Sequence, residues 1–219
     1  MCFSPFASFV AAGGLGVAGT ASLSKVREKK ELALASIPLL FGLQQLTEGM
    51  IWVFYGTPVW TAILTNIYAV FSHLLWPFFI PLSVFLVEPQ RRRKRAIFII
   101  FLLGVLVSIY ILYFIIKSPI SAEIVGKSIQ YNYNGDYPVY TLAAYLMAVT
   151  LAPLFSSHRW IKAFGILLFL SAYISYHFYE LTFFSVWCYF AAILSLIIVG
   201  HFHWGGRKKP PPKTERGLI

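Results

Sequence analysis

Four ionisable side chains lie inside long apolar runs of this 219-residue chain: Glu48, His73, His177 and Glu180. An ionisable group in hydrocarbon costs at least ~3 kcal/mol on insertion scales, so such groups commonly mark functional sites. Carboxylate and imidazole groups can bind a divalent metal such as zinc or iron, or act as general acid and base. We therefore take Glu48, His177 and Glu180 as the candidate catalytic set, with His73 as a fourth candidate metal ligand.

Helical spacing groups these residues with polar neighbours. Gln45 lies three positions and Gln44 four positions before Glu48, so both amides can reach the carboxyl group. His177 and Glu180 are three positions apart, a spacing used by Glu/His pairs in helical-bundle metal sites. Polar residues on the same predicted faces support the candidate site: Gln44, Gln45, Asn66, Tyr173 and Tyr176.

The calculated depth of these groups favours a shared site. At 1.5 Å per residue, Glu48, His177 and Glu180 lie ~21 to ~25 Å from the basic ends of their helices, in the outer half of a bilayer. His73 lies ~20 Å from the opposite end of its helix, and it joins them only if that helix tilts. The alternative is that each group only makes a hydrogen bond between helices.

Composition indicates an all-α, polytopic membrane protein. Hydrophobic residues make up 58% of the chain and charged residues 12%, against about 25% charged in soluble domains. Spans of about 20 apolar residues each are predicted at 5–24, 32–54, 60–87, 96–116, 139–155, 163–183 and 185–202. They form a seven-helix bundle over residues 1–204, followed by a disordered basic cytoplasmic tail at 205–219. Pro77 and Pro81 predict a tilt or kink in the third span.

Charge predicts the orientation of the bundle. The net charge of +10 comes from short basic clusters between apolar runs, so we exclude a nucleic-acid-binding protein. With seven spans, nearly all of these clusters fall on one face, which the positive-inside rule places in the cytoplasm. The N-terminus is then outside, and the protein is expected in the cell inner (plasma) membrane. Expected partners are the lipid bilayer and anionic lipid headgroups at the cytoplasmic face.

Two further features leave alternatives open. Residues 117–138 form the longest outer loop, and an interfacial loop is favoured over a lid that covers an outward-facing cavity. Cys2 and Cys188 could form a disulfide if the first and last helices meet, but a packing role is favoured.

Two motifs carry a resemblance to a known family. They are Met-Cys-Phe-Ser-x-x-Ala-Ser-Phe at residues 1–9 and Pro-Leu-Leu-Phe-Gly-x-Gln-Gln-x-x-Glu-Gly-x-x-Trp at residues 38–52. The chain resembles an uncharacterised family of small bacterial multi-pass membrane proteins, known as a domain of unknown function. The resemblance implies an integral membrane protein and supplies no activity.

Four functions stay open on these residues. The first is a metal-dependent membrane enzyme that acts on a lipid-like substrate through Glu48, His177 and Glu180. The second is a proton-coupled transporter or permease in which the same groups relay protons. The others are a structural membrane subunit and a haem-binding redox protein with His73 and His177 as axial ligands.

Overall fold

The computed structural model describes residues 4–132 and 139–205 of the chain. The described residues are 83% helical, which confirms the predicted helical architecture. The helices are α1 Pro5–Leu23, α2 Leu32–Phe54, α3 Pro58–Ala69, α4 Trp76–Val87, α5 Arg91–Lys117, α6 Val139–Phe155, α7 Arg159–Phe178, α8 Phe183–Leu194 and α9 Leu196–Trp204. Of the predicted tail at 205–219, only Gly205 belongs to the described residues.

Five helical stretches of the described chain are long and apolar enough to cross a membrane. They are Pro5–Leu23, Pro58–Val87, Arg91–Lys117, Arg159–Phe178 and Glu180–Trp204. Helix α6 is apolar but shorter, and α2 is not among the five although it has 23 residues. Helix α2 carries Gln44, Gln45 and Glu48, which lower its hydropathy. The count of seven spans therefore stays a prediction.

The third predicted span is one long helical rod with an irregular centre. Helices α3 and α4 are joined by a π-helical turn at Val70–Leu75, which contains His73. Pro77 follows this turn, and its nitrogen cannot donate to the carbonyl group four residues earlier. The Ser108 hydroxyl group donates to the Leu74 carbonyl oxygen at 2.8 Å. The predicted irregularity is thus a π-turn just before Pro77, and such turns are frequent at functional sites.

The connections that carry basic residues meet at one end of the bundle. The Glu88 carboxylate, between α4 and α5, accepts hydrogen bonds from the Ser156 hydroxyl group at 3.2 Å and the Ser157 N–H at 2.8 Å. Arg93 donates to the Ser156 carbonyl oxygen at 3.0 Å. One cavity at this end is lined from the α1–α2, α4–α5 and α6–α7 connections and from the end of α9, by residues that include Glu28, Pro89, Ser157 and Gly205.

A β-hairpin covers the other end of the bundle. Strands β1 Ser121–Val125 and β2 Ser128–Asn132 pair antiparallel, joined by a two-residue turn in which Gly126 has a φ of 61°. Ile129 and Tyr131 are buried and pack in one cluster with Tyr68 of α3. The described part of the predicted loop at 117–138 therefore contains a hairpin whose apolar residues reach the core, and its position at the membrane interface stays a prediction. Residues 133–138 lie outside the described part.

Small residues allow α1 and α2 to lie close together. A Cβ atom on Gly19 would overlap Leu39, and one on Gly49 would lie 2.9 Å from the Phe9 ring. The space beside Gly49 is thus filled by Phe9. This packing holds the half of α2 that carries Glu48 against α1.

Candidate functional site

Glu48 forms the centre of an enclosed polar cluster. Its side chain is fully buried, at 0% exposure. Its Oε1 accepts hydrogen bonds from the Ser185 hydroxyl group at 2.6 Å and the Tyr131 hydroxyl group at 3.4 Å, and its Oε2 accepts one from Gln45 Nε2 at 3.3 Å. Neutral donors from α2, β2 and α8 therefore converge on a single carboxyl group.

Two stacked tyrosines close the side of the cluster that faces the hairpin. The rings of Tyr68 and Tyr131 lie 4.4 Å apart and nearly parallel, and both are buried. The Tyr68 hydroxyl group also faces the Glu48 carboxyl group. Burial raises the pKa of the Tyr131 phenol well above its usual value, and the neighbouring carboxyl group raises it further. Tyr131 therefore stays a neutral hydrogen-bond donor through the physiological pH range.

A second layer of partners surrounds Gln44. The indole Nε1 of Trp76 donates to Gln44 Oε1 at 2.7 Å, and the Trp76 ring stacks on Phe41 at 3.8 Å. The buried Cys188 thiol lies beside Gln44 and Tyr68. These contacts connect α2, α4 and α8 around the carboxyl group. Cys2, its predicted alternative partner, lies outside the described residues.

His73 lies next to this cluster and is 2% exposed. The Ser72 Oγ atom lies 2.9 Å from the Tyr68 carbonyl oxygen and 2.6 Å from His73 Nδ1. Which of the two side chains donates in the Ser72–His73 contact depends on the imidazole tautomer. The His73 ring contacts the Phe184 ring at 4.0 Å, one residue before Ser185. The π-turn thus places His73 against Phe184 of α8, next to the residue that bonds Glu48.

The charge balance of the cluster is unusual. Within residues 4–132 and 139–205, the one ion pair closer than 4 Å is Lys30–Glu28, at 2.8 Å. Glu48 therefore has no cationic partner among those residues. A buried carboxylate usually has a charged partner, because ionising it inside a protein is costly. In this cluster, hydrogen bonds from neutral groups take the place of a counter-ion.

The structure does not bring His177 and Glu180 to Glu48, which corrects the predicted convergence. Helix α7 ends at Phe178, and Tyr179 leaves the helix with φ −139° and ψ 45°, so the i, i+3 spacing does not hold. Both side chains are exposed. Equal depth along two helices does not determine which way the side chains point. The buried face of α7 contains Leu168, Ala172 and Ser175 instead.

The supporting residues on α3 and α7 also lie away from Glu48. Tyr173 is 67% exposed and stacks on His177 at 6.3 Å, and Tyr176 is exposed. Asn66 donates to the Ala62 carbonyl oxygen of its own helix at 2.8 Å. Glu180 lines a cleft of about 500 Å³ with Lys127 of the hairpin turn. Of the five supporting residues, only Gln44 and Gln45 therefore belong to the cluster.

The predicted metal ligands are not assembled. In the described part of the chain, no three His, Cys, Asp or Glu side chains are placed to hold a metal ion. Glu48 and His73 are buried, whereas His177 and Glu180 are exposed. The zinc or iron site composed of these four residues is therefore not supported by their positions.

Sequence reasoning missed the partners that arrive from distant parts of the chain: Tyr68, Tyr131, Ser185 and Cys188. Ser185 is 137 positions from Glu48, and Tyr131 is 83 positions away. A polar side chain at the start of the last apolar run was the available signal for Ser185. Tyr131 lies in a segment interpreted as a loop, so periodicity gave no signal for it.

Comparisons with known proteins give a family and no function. No curated protein and no solved structure matches the chain. The model of a family of unknown function, DUF6629, matches residues 1–216. This match spans the whole bundle, including Glu48 and each partner described above. The chain therefore belongs to the DUF6629 family of unknown function.

Proposed function

We propose that this protein is a multi-pass membrane protein with seven crossings, its basic end in the cytoplasm and its hairpin outside. The support is the meeting of the α1–α2, α4–α5 and α6–α7 connections at one end of the bundle. These connections lie beside the basic residues Lys29, Lys30, Arg91–Arg95 and Arg159. Such an asymmetry of Lys and Arg orients helical membrane proteins with this end inside.

Within that frame, we propose that Glu48 is the proton carrier of a membrane protein that transports protons. The observation that supports this role is the fully buried carboxyl group held by neutral donors, at 2.6 Å from Ser185 and 3.3 Å from Gln45. A carboxyl group without a counter-ion can accept or release a proton without breaking an ion pair. Intramembrane carboxyl groups commonly serve proton relays in pumps and transporters.

Hydroxyl groups contact Glu48 and can exchange a proton with it. Tyr131 comes from the outer hairpin, and its hydroxyl group contacts Glu48 Oε1. A hydroxyl group both donates and accepts, so Tyr131 and Ser185 can each pass a proton to or from the carboxyl group.

Enclosure favours this role over catalysis. Glu48, Gln45 and Ser185 are all fully buried, so a lipid-like substrate would have to displace packed side chains to touch them. A proton can move through hydrogen-bonded groups without such displacement. Proton transport therefore agrees better with the geometry than does hydrolysis of a lipid.

Proton flux into liposomes tests the proposal. The protein is reconstituted with a pH-sensitive dye inside, and an inside-negative potassium diffusion potential is imposed. We expect the wild type to acidify the lumen faster than protein-free liposomes, Glu48→Gln to abolish the difference, and the exposed control Glu180→Gln to retain it. Equal rates for wild type, Glu48→Gln and protein-free liposomes would contradict the proposal.

A further inference from the structure

A groove with both basic and apolar walls lies between α4 and α5, where α5 begins. It has a volume of about 600 Å³. Its lining consists of Phe85 from α4 together with Arg91, Lys94, Arg95, Phe98 and Ile99 from α5. The α5 residues lie on one helical face because they are spaced three or four positions apart. The groove therefore combines three cations with a wall of two aromatic rings and an isoleucine.

The positive charge of the groove has no ion-pair partner in the part of the chain that the structure describes. No carboxylate lies within 4 Å of Arg91, Lys94 or Arg95 among the described residues. The Lys94 ammonium group lies 4.7 Å above the centre of the Phe85 ring, which keeps its charge at the groove. Arg93 is different, because it donates to the Ser156 carbonyl oxygen. Arg92 is exposed and does not line the groove.

The apolar wall continues along a helix that is suited to lipid. Phe98 and Ile99 are exposed, and they belong to the most hydrophobic of the five candidate spans. A ligand that fills the groove must therefore present a negative group at the start of α5 and a hydrocarbon chain beyond it. Guanidinium groups bind phosphate oxygens through paired hydrogen bonds, so Arg91 and Arg95 suit a phosphate.

We propose that this groove is a binding site for an anionic phospholipid. Arg91 and Arg95 contact the phosphodiester group, Lys94 adds a third positive charge, and the acyl chain lies along Phe98 and Ile99. The cation of a zwitterionic headgroup would be repelled by these three cations, whereas an anionic phospholipid brings net negative charge, so the site discriminates by net charge. The proposal is independent of proton transfer at Glu48, which lies in the enclosed cluster.

Lipid binding to the purified protein tests the proposal. The protein in neutral detergent is titrated with phosphatidylglycerol or phosphatidylcholine, and bound lipids are counted by native mass spectrometry. We expect phosphatidylglycerol to bind more tightly. Removing one charge by Arg91→Gln or Arg95→Gln should weaken the affinity for phosphatidylglycerol about fivefold. Arg92→Gln on the same helix should change this affinity less than twofold. Phe98→Ala should weaken it severalfold.

Three outcomes would overturn the proposal. Equal affinity for the two lipids would remove the selectivity. If Arg92→Gln weakened binding as much as Arg95→Gln, the lipid would be attracted by the general positive potential of this surface and not by the groove. Displacement of the lipid by inorganic phosphate at similar concentration would identify a free phosphate site. Thermal unfolding of each variant in lipid-free detergent checks that the bundle is intact, and Arg91→Gln provides a second variant if Arg95→Gln unfolds.

Discussion

The Ser185 hydroxyl group donates a 2.6 Å hydrogen bond to Glu48 Oε1 and so joins the first turn of α8 to the middle of α2. Ser185 and Glu48 are both fully buried. A short hydrogen bond to a buried carboxyl group is among the stronger kinds in proteins. It connects two helices that are distant in sequence and fixes the position of α8 beside the Glu48 carboxyl group.

Ser185→Ala should destabilise the bundle by about 1–3 kcal/mol, because a buried carboxyl oxygen loses its closest donor. The matched control is Ser171→Ala, since the Ser171 hydroxyl group bonds only the Leu168 carbonyl oxygen of its own helix. Thermal or denaturant unfolding in one detergent measures both variants. A loss for Ser185→Ala no greater than that for Ser171→Ala would show that the contact to Glu48 contributes little.

Tyr131 should anchor the hairpin chiefly through its ring. Tyr131→Phe keeps the stacking on Tyr68 and removes the hydroxyl group that bonds Glu48 at 3.4 Å, so we expect a loss of about 1 kcal/mol. Tyr131→Ala also removes the ring and should cost about 3 kcal/mol or more. Hydrogen exchange of the β1 and β2 amides measures the opening of the hairpin. Equal exchange in the two variants would contradict the anchoring role of the ring.

Gly104 allows α5 to lie directly against α4. A Cβ atom at this position would overlap the Pro77 carbonyl group, so Gly104→Ala should cost about 1–3 kcal/mol through overpacking. Gly13→Ala is the matched control, because a Cβ atom there meets no atom within 4 Å. The control should change stability by less than about 0.5 kcal/mol. Similar unfolding temperatures for both variants would show that α4 and α5 can move apart enough to accommodate the added methyl group without a loss of stability.

Glu88 should stabilise the basic end of the bundle. Glu88→Ala leaves the buried Ser156 hydroxyl group and the Ser157 N–H without their acceptor, and we expect a loss of about 1–3 kcal/mol. Glu123→Ala removes an exposed carboxylate that bonds Asn132 on the neighbouring strand, and it should be nearly neutral. The free energy of unfolding measures both changes. Equal losses would mean that the Glu88 contacts do not hold the α4–α5 and α6–α7 connections together.

Local spacing predicted the part of the site that lies on one helix. Gln45 and Glu48 are three residues apart on α2, and their side chains are hydrogen-bonded at 3.3 Å. The same reasoning failed for His177 and Glu180, because it assumed that α7 continues past Phe178. Periodicity describes the faces of a helix only as far as that helix extends.

The remaining partners depend on tertiary contacts that a single sequence does not reveal. Tyr131 reaches Glu48 because Gly126 closes a tight turn and the hairpin folds over the end of the bundle. His73 reaches Phe184 because a π-turn precedes Pro77. The bounds of α2, in contrast, followed the length of its apolar run: the second span was predicted at 32–54, and α2 is Leu32–Phe54.

Infrared titration of the Glu48 carboxyl group tests the central claim most directly, since the claim is that this enclosed group binds and releases a proton. Protein labelled with ¹³C-glutamate separates the carbonyl stretch of a protonated glutamic acid from other bands. We predict a labelled band that appears and disappears reversibly with pH, is missing in Glu48→Gln and persists in Glu180→Gln. A wild-type spectrum without a pH-dependent band, or with one that Glu48→Gln leaves unchanged, would contradict the account.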